Sequence, residues 1–75
     1  MQQETSSLVL FIKEKRKKAN LTQPDLSAKA GVGLRFIRDL EQGKTTLRMD
    51  KVNQVLKLFG SELGPMPLNR KSAEQ

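Results

Sequence analysis

The side chains best suited to chemistry in this chain are cations, an amide and two hydroxyls: Gln23, Arg35, Arg38, Lys44, Thr45 and Thr46. They lie within one stretch punctuated by Gly31, Gly33 and Gly43. None is a nucleophile with a base beside it, and the chain contains no His, Cys, Tyr or Trp. Catalysis is therefore not expected, since nothing offers a general base, a thiolate or paired carboxylates in a cleft. What such a set can do is recognise an anion. The planar fork of an arginine fits guanine O6 and N7 or a phosphate, and amides, hydroxyls and lysines reach phosphate oxygens. Arg35 and Asp39, four residues apart, equally suit a solvated helical ion pair, and Arg38 equally suits a phosphate. The loop at Lys44, Thr45 and Thr46 also reads as a plain polar connection.

These residues need a scaffold to aim them, and the sequence supplies one. Thr22 has an N-cap side chain, Pro24 sits in a first turn where its missing N–H costs nothing, and Asp25 completes a T-x-x-D capping box. A helix is thus predicted from Gln23 to about Ala30, ended by Gly31 in the left-handed conformation. Another should run from Gly33 or Leu34 until Gly43 ends it the same way. Leu26, Ala30, Val32, Ile37 and Leu40 bring the inner faces of both onto one small core, with Ser27 small enough for a close crossing. This is a helix-turn-helix pattern. With Ile37 and Leu40 turned inward at 100° per residue, Arg35, Arg38, Asp39 and Gln42 face outward and Leu34 is exposed at the first turn. Phe36 flanks the inner face and reads as core.

A first helix is predicted from Ser6 or Ser7 to Lys18 or Ala19, with Leu8, Ile12, Arg16 and Ala19 in one inward row and Asn20 as its left-handed cap. Val9, Leu10 and Phe11 exceed what that row needs. The run KEKRKK suits the negative end of the helix dipole as well as it suits phosphate. A last helix from Met49 to Phe59 carries the stripe Met49, Val52, Val55, Leu56 and Phe59, stopped by Gly60.

Over Leu8 to Phe59 the wording LTQ…A…G…I..LE.GK resembles the Cro and phage-repressor type of bacterial DNA-binding regulators, the Xre family. Within it, LTQPDLSAKAGVGLRFIRDLEQGKTTLRMDKVNQVLKLFG is most similar to HipB-like antitoxins. The resemblance implies an all-α, compact four- to five-helix domain with a short C-terminal strand that pairs in a dimer. It also implies a repressor of its own operon and a HipA-like kinase toxin as partner. Gly33, Leu34, Arg35 and Arg38 fall where the family reads bases, and Gln23 falls where it touches the DNA backbone. Gly33 and Leu34 depart from the family's usual polar residues, so no base-by-base code is carried over. Arg16 and Glu41 match an ion pair tying the first helix to the third.

Length and charge set the remaining bounds. Seventy-five residues allow one domain with a modest core, which favours dimerisation. The net charge of +6, from 14 basic and 8 acidic residues, favours a polyanionic partner without deciding which, and the repressor reading makes that partner a palindromic DNA operator. Without Cys or His, no disulfide, cofactor or metal site is expected. The start MQQETSS has no basic n-region and LVLFI is too short to span a bilayer, which predicts a cytoplasmic bacterial protein. Residues 1–6 read as a flexible arm, 7–60 as the DNA-binding domain, 61–67 as a dimerisation strand limited by Pro65 and Pro67, and 68–75 as a disordered tail. Leu58, Leu63 and Met66 lack a core partner and are assigned to a homodimer interface. A stand-alone phage-type or restriction-controlling regulator is the alternative. A protein-interaction module neutralising a partner is the alternative of another class.

Overall fold

A computed structural model describes residues 6–65 and 67. Residues 1–5 of the expected arm at 1–6, Met66 and the tail from 68 onward lie outside them, and Ser6 belongs to the start of the first helix rather than to an arm. Among the described residues there are four helices and no strand: α1 (Ser7–Lys18), α2 (Gln23–Ala30), α3 (Leu34–Glu41) and α4 (Met49–Leu58). None is long and apolar enough to cross a membrane.

Each boundary has a local cause. The Ser6 hydroxyl oxygen accepts from the Val9 N–H at 3.2 Å, capping α1. That helix ends where Asn20 turns left-handed at φ +58°. The α2 capping box is closed on both sides: Asp25 N–H donates to Thr22 Oγ1 at 3.1 Å and Thr22 N–H donates to Asp25 Oδ2 at 2.9 Å. Gly31, at φ +76°, turns the chain toward α3, and Ser27 fastens the turn by donating its hydroxyl to the Val32 carbonyl at 2.6 Å. From the far side the Gln54 amide of α4 donates to the carbonyls of Ala30 and Gly31 at 3.2 and 3.3 Å. A Cβ on Gly31 would lie 3.5 Å from that amide, an ordinary contact, so the cost of Gly31→Ala is conformational. It should lower stability by about 1–2 kcal/mol, read as a fall in thermal midpoint with unchanged helix content.

The core is one cluster formed by Ile12, Leu26, Val32, Ile37, Leu40, Val52, Val55 and Leu56. α2 packs on α3 and α4, and α1 packs on α3. Three expectations change. The inward side of α1 keeps Leu8, which packs against the core, with Ile12 and Arg16, and adds buried Val9, while Ala19 lies past the helix end and is exposed. Met49 is 68% exposed, because it stands at the open first turn of α4 while Leu47 from the preceding loop packs on the core. Leu63 is not left over. It packs against the core, and its N–H donates to Asn53 Oδ1 at 2.7 Å, occupying a donor that a strand ladder could have used. Residues 61–65 run back along the molecule without regular structure. They form one wall of a groove of about 390 Å³ lined by Leu8, Phe11, Leu56 and Leu63 among others.

Candidate nucleic-acid interface

The outward face of α3 is built by burying its other side. Ile37 and Leu40 are at most 1% exposed, which rolls Arg35 and Arg38 into solvent. Leu34 is half-buried rather than exposed. At that start Gly33 occupies the N-cap position without a side-chain cap, and the first turn carries no acid. A Cβ on Gly33 would meet nothing within 4 Å, so the space beside the α3 start is open. Arg38 forms no ion pair among the described residues. The Arg35 side chain is 87% exposed, with its Nε 4.0 Å from Asp39 Oδ1.

The start of α2 is different. Its Gln23 amide donates to Glu41 Oε1 at 3.1 Å, Pro24 has no N–H, and the Asp25 N–H is held by Thr22. The Asp25 carboxylate sits beside these groups, held below its usual pKa range by hydrogen bonds from Thr22. A negative charge and internal caps make this end a weaker phosphate site than its dipole suggests. Gln23 retains its own backbone N–H and the second amide hydrogen for that purpose.

A charged network joins the start of α2 to the end of α3. Arg16 donates through Nε to Glu41 Oε2 at 2.7 Å and through Nη2 to Oε1 at 2.9 Å, a bidentate pair. Its Nη1 donates to the Leu21 carbonyl at 2.9 Å. Glu41 is 4% exposed, the one buried charged residue among those described. Burial pushes its carboxyl upward, but the hydrogen bonds from Arg16 and Gln23 and the Arg16 charge outweigh this and hold it below the usual range. The Glu41 hydrogen bond raises Arg16 above the ordinary guanidinium value. One carboxylate at the end of α3 thus ties together α1, the loop after it, and the start of α2. It fixes how the two helices of the motif stand to each other.

Lys44, Thr45 and Thr46 are exposed in the loop after α3. Lys44 is not free-standing: its Nζ lies 3.6 Å from Asp39 Oδ2, and its backbone N–H donates to the Asp39 carbonyl at 3.0 Å. Sequence reading noted Arg35 with Asp39 but missed Lys44 with Asp39. The left-handed Gly43, at φ +87°, brings the chain back onto α3, and glycine at that position is the signal that could have revealed it. It also missed the amides Asn53 and Gln54, neighbours in sequence that hold the segment after α4 and the turn between α2 and α3 respectively. Of the residues assigned to a dimer, Leu58 is 39% exposed and Leu63 is half-buried.

A helix-turn-helix family model matches residues 12–65. Forty-eight residues, 64% of the chain, are 54% identical to an uncharacterized HTH-type transcriptional regulator of Sinorhizobium fredii (strain NBRC 101917 / NGR234). The match spans 63% of that protein.

Proposed function

The chain belongs to the helix-turn-helix family in its Cro/repressor (Xre) form, and from that premise we propose that it is a sequence-specific, dimeric DNA-binding repressor of transcription. The observation that supports this most is the α3 surface. Two exposed arginines and an open helix start project from a helix whose opposite side is fully buried and whose end is fastened by Glu41. A rigid cationic helix of this kind can enter a major groove, with Arg35 and Arg38 at base edges and Leu34 and Gly33 close to the bases. Gln23, Lys44, Thr45 and Thr46 then flank it on the phosphates. Two copies would place two such helices in successive major grooves of a palindrome, about one helical turn apart.

The finer role we propose is that of a HipB-like antitoxin, repressing its own operon and binding a HipA-like kinase toxin. What supports it is the wording of residues 21–60. A kinase-like protein encoded next to this chain that co-purifies with it would establish the partner, and its absence would leave a stand-alone regulator. Leu8, Phe11, Leu56 and Leu63 line a groove that also carries Ser7, Ser61 and Glu62. A module acting through that groove alone is the competing reading, and salt separates the two. A DNA complex should weaken steeply as salt rises, whereas an apolar protein interface should not.

The test is binding to duplexes selected from a random pool, and to the chain's own upstream region, at two salt concentrations. No binding at either would defeat the proposal. Once a site is known, Arg35→Ala and Arg38→Ala should each weaken it by about 1–3 kcal/mol and relax the choice of one base pair. Equal losses on every duplex, with a shallower salt slope, would assign both arginines to phosphate instead.

A further inference from the structure

On the surface running from Gly33 through Arg48, Asp39 is the one carboxylate open to solvent. The other acid of α3, Glu41, is buried with Arg16. Asp39 is itself three-quarters covered, with 24% of its side chain exposed, so it has little room to move. Its two oxygens face different cations: Oδ1 lies 4.0 Å from Arg35 Nε and Oδ2 lies 3.6 Å from Lys44 Nζ. Its carbonyl also accepts the Lys44 N–H at 3.0 Å, so the lysine is returned to it by the backbone as well. Of the four cations in this stretch, Arg35 and Lys44 thus stand beside one acid, Arg48 pairs with Asp50 at 2.7 Å, and Arg38 is left outside the arrangement.

We propose that Asp39 is a specificity-determining residue that clamps Arg35 and Lys44 and so suppresses sequence-independent binding. The inference rests on the DNA-binding reading given above. Ion pairs this exposed add little to stability, so their consequence lies in the field they set up at the DNA face. Sequence-independent affinity comes from cations meeting phosphates and releasing counterions. A fixed carboxylate between two such cations repels phosphate and lowers the number of counterions released. A selected site suffers less, because there Arg35 meets a base edge rather than a phosphate, and its hydrogen bonds to the base offset the nearby carboxylate charge.

The experiment compares the full chain with Asp39→Asn and Asp39→Glu on a duplex selected from a random pool and on an unselected duplex, across a series of salt concentrations. Thermal melts serve as the fold control. Asp39→Asn should bind the unselected duplex about tenfold more tightly at low salt, with a salt slope steeper by about 1–2, the value for one or two further phosphate contacts. The ratio of selected to unselected affinity should fall by a similar factor, and Asp39→Glu should restore most of it. An unchanged ratio and slope would overturn the clamp. So would a loss confined to one base pair of the selected site with unselected binding unaltered, which would make Asp39 a base contact. A parent chain that binds neither duplex would defeat the DNA-binding reading itself, an outcome distinct from either of these.

Discussion

Glu41→Ala should lower the stability of this domain by about 3–5 kcal/mol, the range for breaking a buried ion pair by removing one partner. For a chain of this size that lowers the thermal midpoint by well over 10 °C, enough to unfold a marginal domain. The cause is what remains behind. Arg16, with 15% of its side chain exposed, keeps its charge but loses both bonds to the carboxylate, and the Gln23 amide loses its acceptor. Arg16→Ala should be nearly as damaging, since it leaves the Glu41 carboxylate buried with a single amide donor. The pair also dictates a pH dependence. The folded Glu41 pKa is depressed by Arg16 and Gln23, so the unfolded chain binds a proton there more readily. The stabilisation is therefore fully present above the unfolded carboxylate value of about 4.3 and is lost as pH falls through the lower folded value. Glu41→Gln, which cannot ionise, should start less stable at neutral pH and show a flatter acid limb. Melts of the parent and Glu41→Gln between pH 7 and pH 2 read this directly. Parallel acid limbs would mean that the carboxylate bears no pH-dependent stability.

The parts of the fold governed by neighbours in sequence were legible before the structure. The α2 boundaries follow from Thr22, Pro24, Asp25 and Gly31, because capping boxes and left-handed turns act over three or four residues. The inward choice of Ile37 and Leu40 followed from period alone. Periodicity failed where the end of an element mattered. Met49 fits the α4 stripe but stands at its first turn, where Leu47 packs on the core instead. Ala19 fits the α1 row but lies one residue past the helix. Val9 was harder still, since a row of i and i+4 residues and a row of i and i+3 residues diverge by only part of a turn, and tertiary contact decides between them. In the candidate interface the exposed arginines were readable from the helix alone. The settings of Gln23 and Lys44 were not. Gln23 meets Glu41 across 18 residues, and Lys44 returns to Asp39 through a glycine whose conformation had been read as a helix stop and nothing more.

In the proposed homodimer, loss of the second subunit should have the larger effect on DNA binding. A single recognition helix contacts too few base pairs to select one site in a genome, and two linked helices bind about 100-fold or more tightly than one. We propose that the homodimer interface combines Leu58 with the chain beyond Phe59. Leu58 stands 39% exposed at the end of α4, outside the core cluster, and Leu63 walls the groove against Leu8 and Phe11. Truncation after Gly60 should therefore yield a monomer by sedimentation, with only weak, salt-sensitive binding to a palindromic site. Truncation also removes the Leu63 bond to Asn53 and the packing of Leu63 on the core, so a fall in stability accompanies it. Leu58→Glu separates the two effects, because an exposed residue changes folding stability by about 0.5 kcal/mol or less while a buried interfacial charge opposes pairing. If Leu58→Glu is monomeric with an unchanged melt at matched concentration, α4 lies in the interface. A truncated chain that remains a dimer would remove the segment after Gly60 from it and reject strand pairing across the two-fold axis.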